Sequence, residues 1–147
     1  MKIEINDISS KGVHKEAEYN PCELDLEIEA SKVALPVKFI TPINISADIN
    51  LAGKELVVRS ILMYKLQMIC SRCLEKFDLL FEGKHIFTYN IQNLETVDIT
   101  DDVREEIILN YPLKPLCSED CKGICVKCKV NLNMENCKCG NVKLVAE

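Results

Sequence analysis

Alternation of apolar and polar residues organises most of this chain. Ile43, Ile45, Ala47, Ile49 and Leu51 alternate with Asn44, Ser46, Asp48 and Asn50. That period of two gives a strand one face for a core and one for water. Ala52-Gly53-Lys54 supplies a turn, a second strand is predicted from about Glu55 to Met68, and Phe77 to Tyr89 forms its return partner. Leu24, Leu26 and Ile28 alternate with Glu23, Asp25, Glu27 and Glu29 and predict a further strand, while Ile3 and Ile5 open another. Pro36 and Pro42 confine their segment to an edge or an irregular strand, because proline cannot donate to a ladder. One short helix is predicted near residues 100–110. Thr100, Asp101 and Asp102 offer capping oxygens and negative charge at its start, Val103, Ile107 and Ile108 an apolar stripe, and Tyr111-Pro112 its end. Residues 91–99 read as a polar connection. The expected class is mainly β (α+β), an antiparallel sheet curled as a barrel or sandwich.

At 147 residues the chain suits a single domain. Residues 1–112 form a β-rich body with the helix, and residues 113–147 a cysteine-rich segment packed on it. With 5% aromatics and no Trp, the core must be largely Ile, Leu and Val.

Cysteine spacing changes the picture most. Of nine cysteines, six read Cys117-x3-Cys121-x3-Cys125-x2-Cys128-x8-Cys137-x-Cys139, and Cys70-x2-Cys73 lies upstream. Short C-x-x-C spacings suit turns that aim two thiolates at one ion, and four such sulfurs close a tetrahedron around zinc. Eight ligands make two Cys₄ sites, hence two Zn²⁺ per chain, with Cys22 left over. Disulfides and free thiols are the rival readings, as is an iron–sulfur cluster on Cys121-x3-Cys125-x2-Cys128. That last spacing occurs in radical-SAM cluster loops, which sit on barrels far larger than this chain. The N-terminal MKIEINDISSKG lacks the apolar run of a signal peptide, and the sequence has no stretch of about 18 apolar residues. The expectation is a cytoplasmic protein without membrane association, where thiols stay reduced unless a metal holds them.

Charge is divided unevenly. The net charge is −5, but residues 1–112 carry 12 basic and 19 acidic groups, whereas residues 113–147 carry 6 and 4. Lys122, Lys127, Lys129 and Lys138 lie among the C-terminal cysteines, and Arg72 and Lys76 flank the upstream pair. A metal-ordered loop bearing these six cations is a candidate RNA-contacting surface; the alternative is a solvated face whose lysines offset thiolate charge. No Ser/His/Asp set, Gly-rich phosphate loop or H-E-x-x-H run is present. His14 and His85 read as structural or solvated, and Glu105 and Glu106 as a solvated helix face. The expectation is no catalytic residue and no small-molecule substrate.

Three blocks carry a family resemblance. They are Cys70-Ser-Arg-Cys73-Leu74-Glu75-Lys76-Phe77; the run Asp102-Val-Arg-Glu-Glu-Ile-Ile-Leu109 with Tyr111-Pro112 and Pro115-Leu116-Cys117; and Cys121-Lys-Gly-Ile-Cys125-x2-Cys128-x2-Asn131-Leu132-Asn133 closed by Cys137-Lys-Cys139. In this order they resemble the YceD-like large ribosomal RNA subunit accumulation proteins. Many relatives carry a D-x-R-containing helix after the last cysteines, a motif that residues 140–147 do not spell. The resemblance implies a non-enzymatic role in ribosomal RNA accumulation and large-subunit biogenesis, with ribosomal RNA or a large-subunit ribosomal protein as partner. The other reading is a zinc-dependent protein-interaction module without RNA contact. Motif order and the resemblance together assign Cys70, Cys73, Cys117 and Cys121 to a first site. Cys125, Cys128, Cys137 and Cys139 then form a second, sequence-local knuckle.

Overall fold

The computed structural model describes residues 1–26 and 37–139. Its strands are β1 (Lys2–Glu4), β2 (Val13–Tyr19), β3 (Lys38–Phe39), β4 (Ile43–Ala52), β5 (Glu55–Ile69), β6 (Lys76–Asn90) and β7 (Thr96–Asp98), followed by one helix, α1 (Thr100–Leu109). Strand β5 is the spine of a five-stranded antiparallel sheet. Along one edge it pairs first with β4 and then with the short β3, along the other with β6, and β2 extends the sheet beyond β4. Strands β1 and β7 form a separate two-stranded ribbon.

The alternation read from the sequence is the burial pattern of these strands. Ile43, Ile45, Ala47 and Ile49 of β4 and Leu56, Val58, Leu62, Tyr64, Leu66 and Met68 of β5 are all buried on one face. Val103 and Ile107 of α1, one helical turn apart, cover that face together with Ile3, Val97 and Ile99. Each such fully buried side chain contributes roughly 1.5–3 kcal/mol of hydrophobic stabilisation. The helix is also held by polar contacts: Tyr89 donates to Asp102, and Arg104 donates to the Leu24 carbonyl at 3.0 Å.

Several expectations are corrected. The sheet is open: β2 and β6 lie on opposite sides of it and do not pair, so no barrel closes among the described residues. The expected strand beginning at Leu24 is instead a 3₁₀ turn, Pro21–Leu24. Pro21 presets its first φ, Glu23 accepts from the Asn20 N–H at 2.7 Å, and Asp25 turns left-handed at φ 52. Leu24 and Leu26 are both buried, so the apolar phase is satisfied by a turn; Ile28 lies outside the described residues. Strand β1 stops at Glu4, and Ile5–Asp7 form a second 3₁₀ turn. The connection over residues 91–99 contains β7, whose single buried residue, Val97, is too little to set a period. No side chain of α1 caps its first turn; Asp98, ahead of the helix, accepts from the Thr100 N–H at 3.1 Å. Glu106 faces the sheet, its carboxylate 3.0 Å from His85 Nδ1.

Candidate metal centres

The long β5–β6 hairpin presents residues 70–75 as its tip. Cys70 N–H donates to the Glu75 carbonyl at 2.9 Å, Leu74 N–H donates back to Cys70 at 3.0 Å, and Leu74 adopts φ 62. This knuckle points Cys70 and Cys73 the same way. The segment after α1 meets it: Ser71 N–H donates to the Pro115 carbonyl at 2.8 Å, and Leu116 and Phe77 pack on the sulfurs. Cys117 and Cys121 thereby reach the hairpin tip. The Cys70 and Cys121 sulfurs stand 3.7 Å apart and those of Cys73 and Cys117 3.6 Å.

The second quartet is local. Lys129 N–H donates to the Cys125 carbonyl at 2.8 Å and Cys125 N–H to Val130 at 2.9 Å, a turn completed by Lys129 at φ 59. Cys137 and Cys139 return to it, with Sγ–Sγ separations of 3.5 Å for Cys128–Cys137 and 3.2 Å for Cys125–Cys137. In both groups the four sulfurs lie within 4.8 Å of one another. Four thiolates at about 2.3 Å from one zinc stand about 3.8 Å apart, whereas a disulfide brings two sulfurs to about 2.05 Å. None of the nine cysteines is joined in a disulfide. The donor sets fit a tetrahedral thiophilic ion, and two groups of four could each hold one.

Thiol acidity fits that use. Burial opposes ionisation of Cys70, but the N–H groups of Cys73, Cys117 and Arg72 outweigh it and bring the thiol to about 6. The N–H of Cys128, then the Cys137 thiol and the Lys127 N–H, bring Cys125 to about 6 as well. In each group another thiol moves the opposite way. Burial pushes Cys73 up to about 12, and its neighbouring thiols add to the effect. Cys128 and Cys137 push Cys139 up to about 12. Each quartet thus pairs a readily ionised thiol with one on which burial or neighbouring thiols hold the proton, and a divalent cation is what lets four thiolates coexist.

The two groups are bound to each other. Ile124 N–H donates to the Arg72 carbonyl at 3.2 Å, and Leu132 N–H donates to the Gly123 carbonyl at 2.9 Å. Gly123, at φ 74, sits where a side chain would be strained and crowded: a Cβ there would stand 3.1 Å from the Arg72 carbonyl oxygen. Asn133 was not singled out by spacing, yet its Nδ2 donates to Cys121 Sγ at 3.4 Å and its Oδ1 accepts from the Lys122 N–H at 2.8 Å. A side chain from inside the second loop thus touches a sulfur of the first group. The only sequence signal for it was Asn131-Leu132-Asn133 between two cysteine pairs.

The six cations of the candidate RNA surface divide. Lys76, Lys122, Lys127, Lys129 and Lys138 are exposed and make no ion pair with a described residue. Arg72 is exposed too, but its guanidinium donates to the Cys121 carbonyl at 3.1 Å and the Glu119 carbonyl at 3.3 Å, which fastens the loop. Cys22 is exposed and belongs to neither group. Among the described residues no helix is long and apolar enough to cross a membrane.

Fold and site together define a small antiparallel-sheet protein with two tetracysteine groups at one end of its longest hairpin. The family model of the large ribosomal RNA subunit accumulation protein YceD matches residues 58–144, more than half the chain and both groups, and the chain belongs to that family. It is also similar to large ribosomal RNA subunit accumulation protein YCED homolog 1, chloroplastic, of Arabidopsis thaliana, with 36% identity over 47 residues. That match covers 32% of this chain and 15% of the plant protein. No solved structure matches.

Proposed function

We propose that this chain is a non-enzymatic factor for accumulation of large-subunit ribosomal RNA, its two tetracysteine groups holding structural Zn²⁺. The observation that carries the reading is the closure of both groups. Each supplies four sulfurs and leaves no protein-free position for a water, the mark of a structural rather than a catalytic zinc site. Cys70, Cys73, Cys117 and Cys121 hold one ion; Cys125, Cys128, Cys137 and Cys139 hold the other. Bound zinc supplies cross-linking and charge compensation. The cysteine-rich segment, over its described residues 113–139, rides on the β-rich body as part of one domain. Exposed Lys76, Lys122, Lys127, Lys129 and Lys138 face ribosomal RNA, while Arg72 anchors the loop that carries them. A large-subunit ribosomal protein is the alternative partner, favoured by the net charge of −5, and the working compartment is the cytoplasm.

The test is elemental analysis of the purified chain together with ribosomal RNA crosslinking and co-sedimentation at several salt concentrations. Two zincs per chain and RNA retention that falls steeply with salt are expected, because each phosphate contact releases counterions. Iron in place of zinc, or one metal per chain, overturns the metal assignment. Zinc-loaded protein whose particle binding is indifferent to salt overturns RNA contact in favour of the ribosomal-protein partner.

A further inference from the structure

The far face of the sheet, away from α1 and lined by none of the cysteines, has its own chemistry. A concave groove of about 640 Å³ crosses it, lined by Glu16, Glu18, Asn44, Ser46, Ile61, Met63 and Glu82 with backbone between them. Its floor is apolar: Ile61 and Met63 project from β5, and Met63 remains 45% exposed. Leu80 and Ile86 are exposed on the same face of β6, at 68% and 67%, on either side of Glu82 and Lys84. Apolar side chains grouped on one face and rimmed by charge mark an interaction site rather than the scattered exposure of any surface.

The groove lining carries three carboxylates and no cation, with exposed Lys84 opposite Ile61 just outside it, so the lining favours a basic occupant. Glu18 and Glu82 make no ion pair with a described residue, and Glu16 shares only His14, at 3.5 Å. The carboxylates stand at the two ends of the groove, Glu16 and Glu18 on β2 and Glu82 on β6. β4 and β5 lie between, and Met63 sits directly opposite both Asn44 and Glu82 in register. Three strand spacings separate the ends, about 14 Å at 4.7–4.9 Å each. An extended peptide covers the same distance in about four residues, with alternate side chains on one face.

We propose that this groove docks an extended basic segment of a partner protein, with two Lys or Arg residues four apart and an apolar residue midway. The flanking cations reach Glu18 and Glu82, and the middle side chain lies on Met63 and Ile61. Nucleic acid is disfavoured here by the same carboxylates that suit a basic peptide. The surface uses none of the cysteines, so it stands or falls independently of the metal assignment.

The probe is a fluorescein-labelled peptide, Gly-Ser-Lys-Ser-Leu-Ser-Lys-Ser-Gly, titrated with the full chain and followed by anisotropy. Binding that weakens with salt is expected, with little binding of the same peptide carrying Glu in place of Lys. Glu18→Gln and Glu82→Gln should each weaken binding by up to about fivefold, the range of an exposed ion pair. Met63→Ser should weaken it too, and less so for a peptide with Gly in place of Leu. Melting temperatures should stay unchanged, since all three residues lie on the solvent face. Failure of the basic peptide to bind, or equal binding by all variants, overturns the proposal. So does an RNA oligonucleotide that displaces the labelled peptide, or a dimer in sedimentation that Met63→Ser dissociates.

Discussion

The two tetracysteine groups share one chemistry and differ in how the fold holds them. The first joins the β5–β6 tip to the segment after α1: Cys70 and Cys121 are 51 residues apart and Cys73 and Cys117 are 44. Three of its four cysteines are buried. The second is made within residues 125–139, its Cys125–Cys137 contact spans 12 residues, and only Cys125 is buried. Closing a longer loop removes more conformational freedom from the unfolded chain, though only logarithmically. The larger difference is what the loop contains. The first group encloses β6, β7 and α1, hence one edge of the sheet and the cover of the core. The second encloses a turn.

Under the proposed zinc reading, this contrast is sharpest in paired ligand variants. Binding of a structural zinc is folding free energy, so Cys73→Ser withdraws it from the whole body. Its melting temperature should fall by about 10 °C or more, the equivalent of roughly 3 kcal/mol in a domain of this size. Cys128→Ser should cost less than about 5 °C, leaving the sheet folded and one zinc bound. Circular dichroism melts with metal analysis decide the matter. Equal falls in the two variants break the distinction between a clamp on the body and a local loop.

Acid and chelator should separate what the groups share from what they do not. Cys70 and Cys125 both sit near 6 against an ordinary 9.0. The stabilisation these thiolates give the folded chain is therefore full above about 9 and is lost as pH falls through about 6. On the proposed zinc reading, protons compete with metal on the same sulfurs, so both ions should leave together as pH drops below about 6. At pH 7.5 a colorimetric chelator should instead remove one zinc well before the other, the exposed second group giving way first. Simultaneous loss to chelator, or widely separated acid release, contradicts this assignment of shared acidity and unequal burial.

The legibility of the sequence divides along similar lines. Strands β4, β5 and β6 were readable because the long runs commit every second residue to the core, and cysteine spacing survives whatever fold surrounds it. Strand β2 was missed because Lys15 stands in register with Ala47 on the inward phase and its inner positions are only half-buried. β7 exists because β1 pairs with it, a partner 94 residues away that no local pattern names. Openness of the sheet lies in β2 and β6 ending on opposite sides of it unpaired, which is a matter of strand pairing rather than composition. Arg72 read as a surface cation, yet its carbonyl acceptors come from the loop 47 and 49 residues on.

Asn133 is where the comparison itself should be tested, because it joins the two regions. Its Nδ2 donates to Cys121 at 3.4 Å while Oδ1 holds the Lys122 N–H and its own N–H donates to Asn131 Oδ1 at 3.0 Å. Hydrogen bonds to a metal-bound ligand commonly tune metal affinity by about 10- to 100-fold. Asn133→Ala should therefore weaken zinc at the first group by about tenfold, although the residue lies within the second loop. Its effect on melting should remain smaller than that of Cys128→Ser. With cobalt as a spectroscopic substitute, the thiolate-to-metal bands of the first group should shift in Asn133→Ala and not in Cys22→Ser, whose side chain is remote from both groups. The two changes Asn133→Ala and Cys128→Ser should also be non-additive on first-site affinity, since disordering the second loop already withdraws the amide. Additive effects, or cobalt bands indifferent to Asn133, would mean that the groups are neighbours without being coupled.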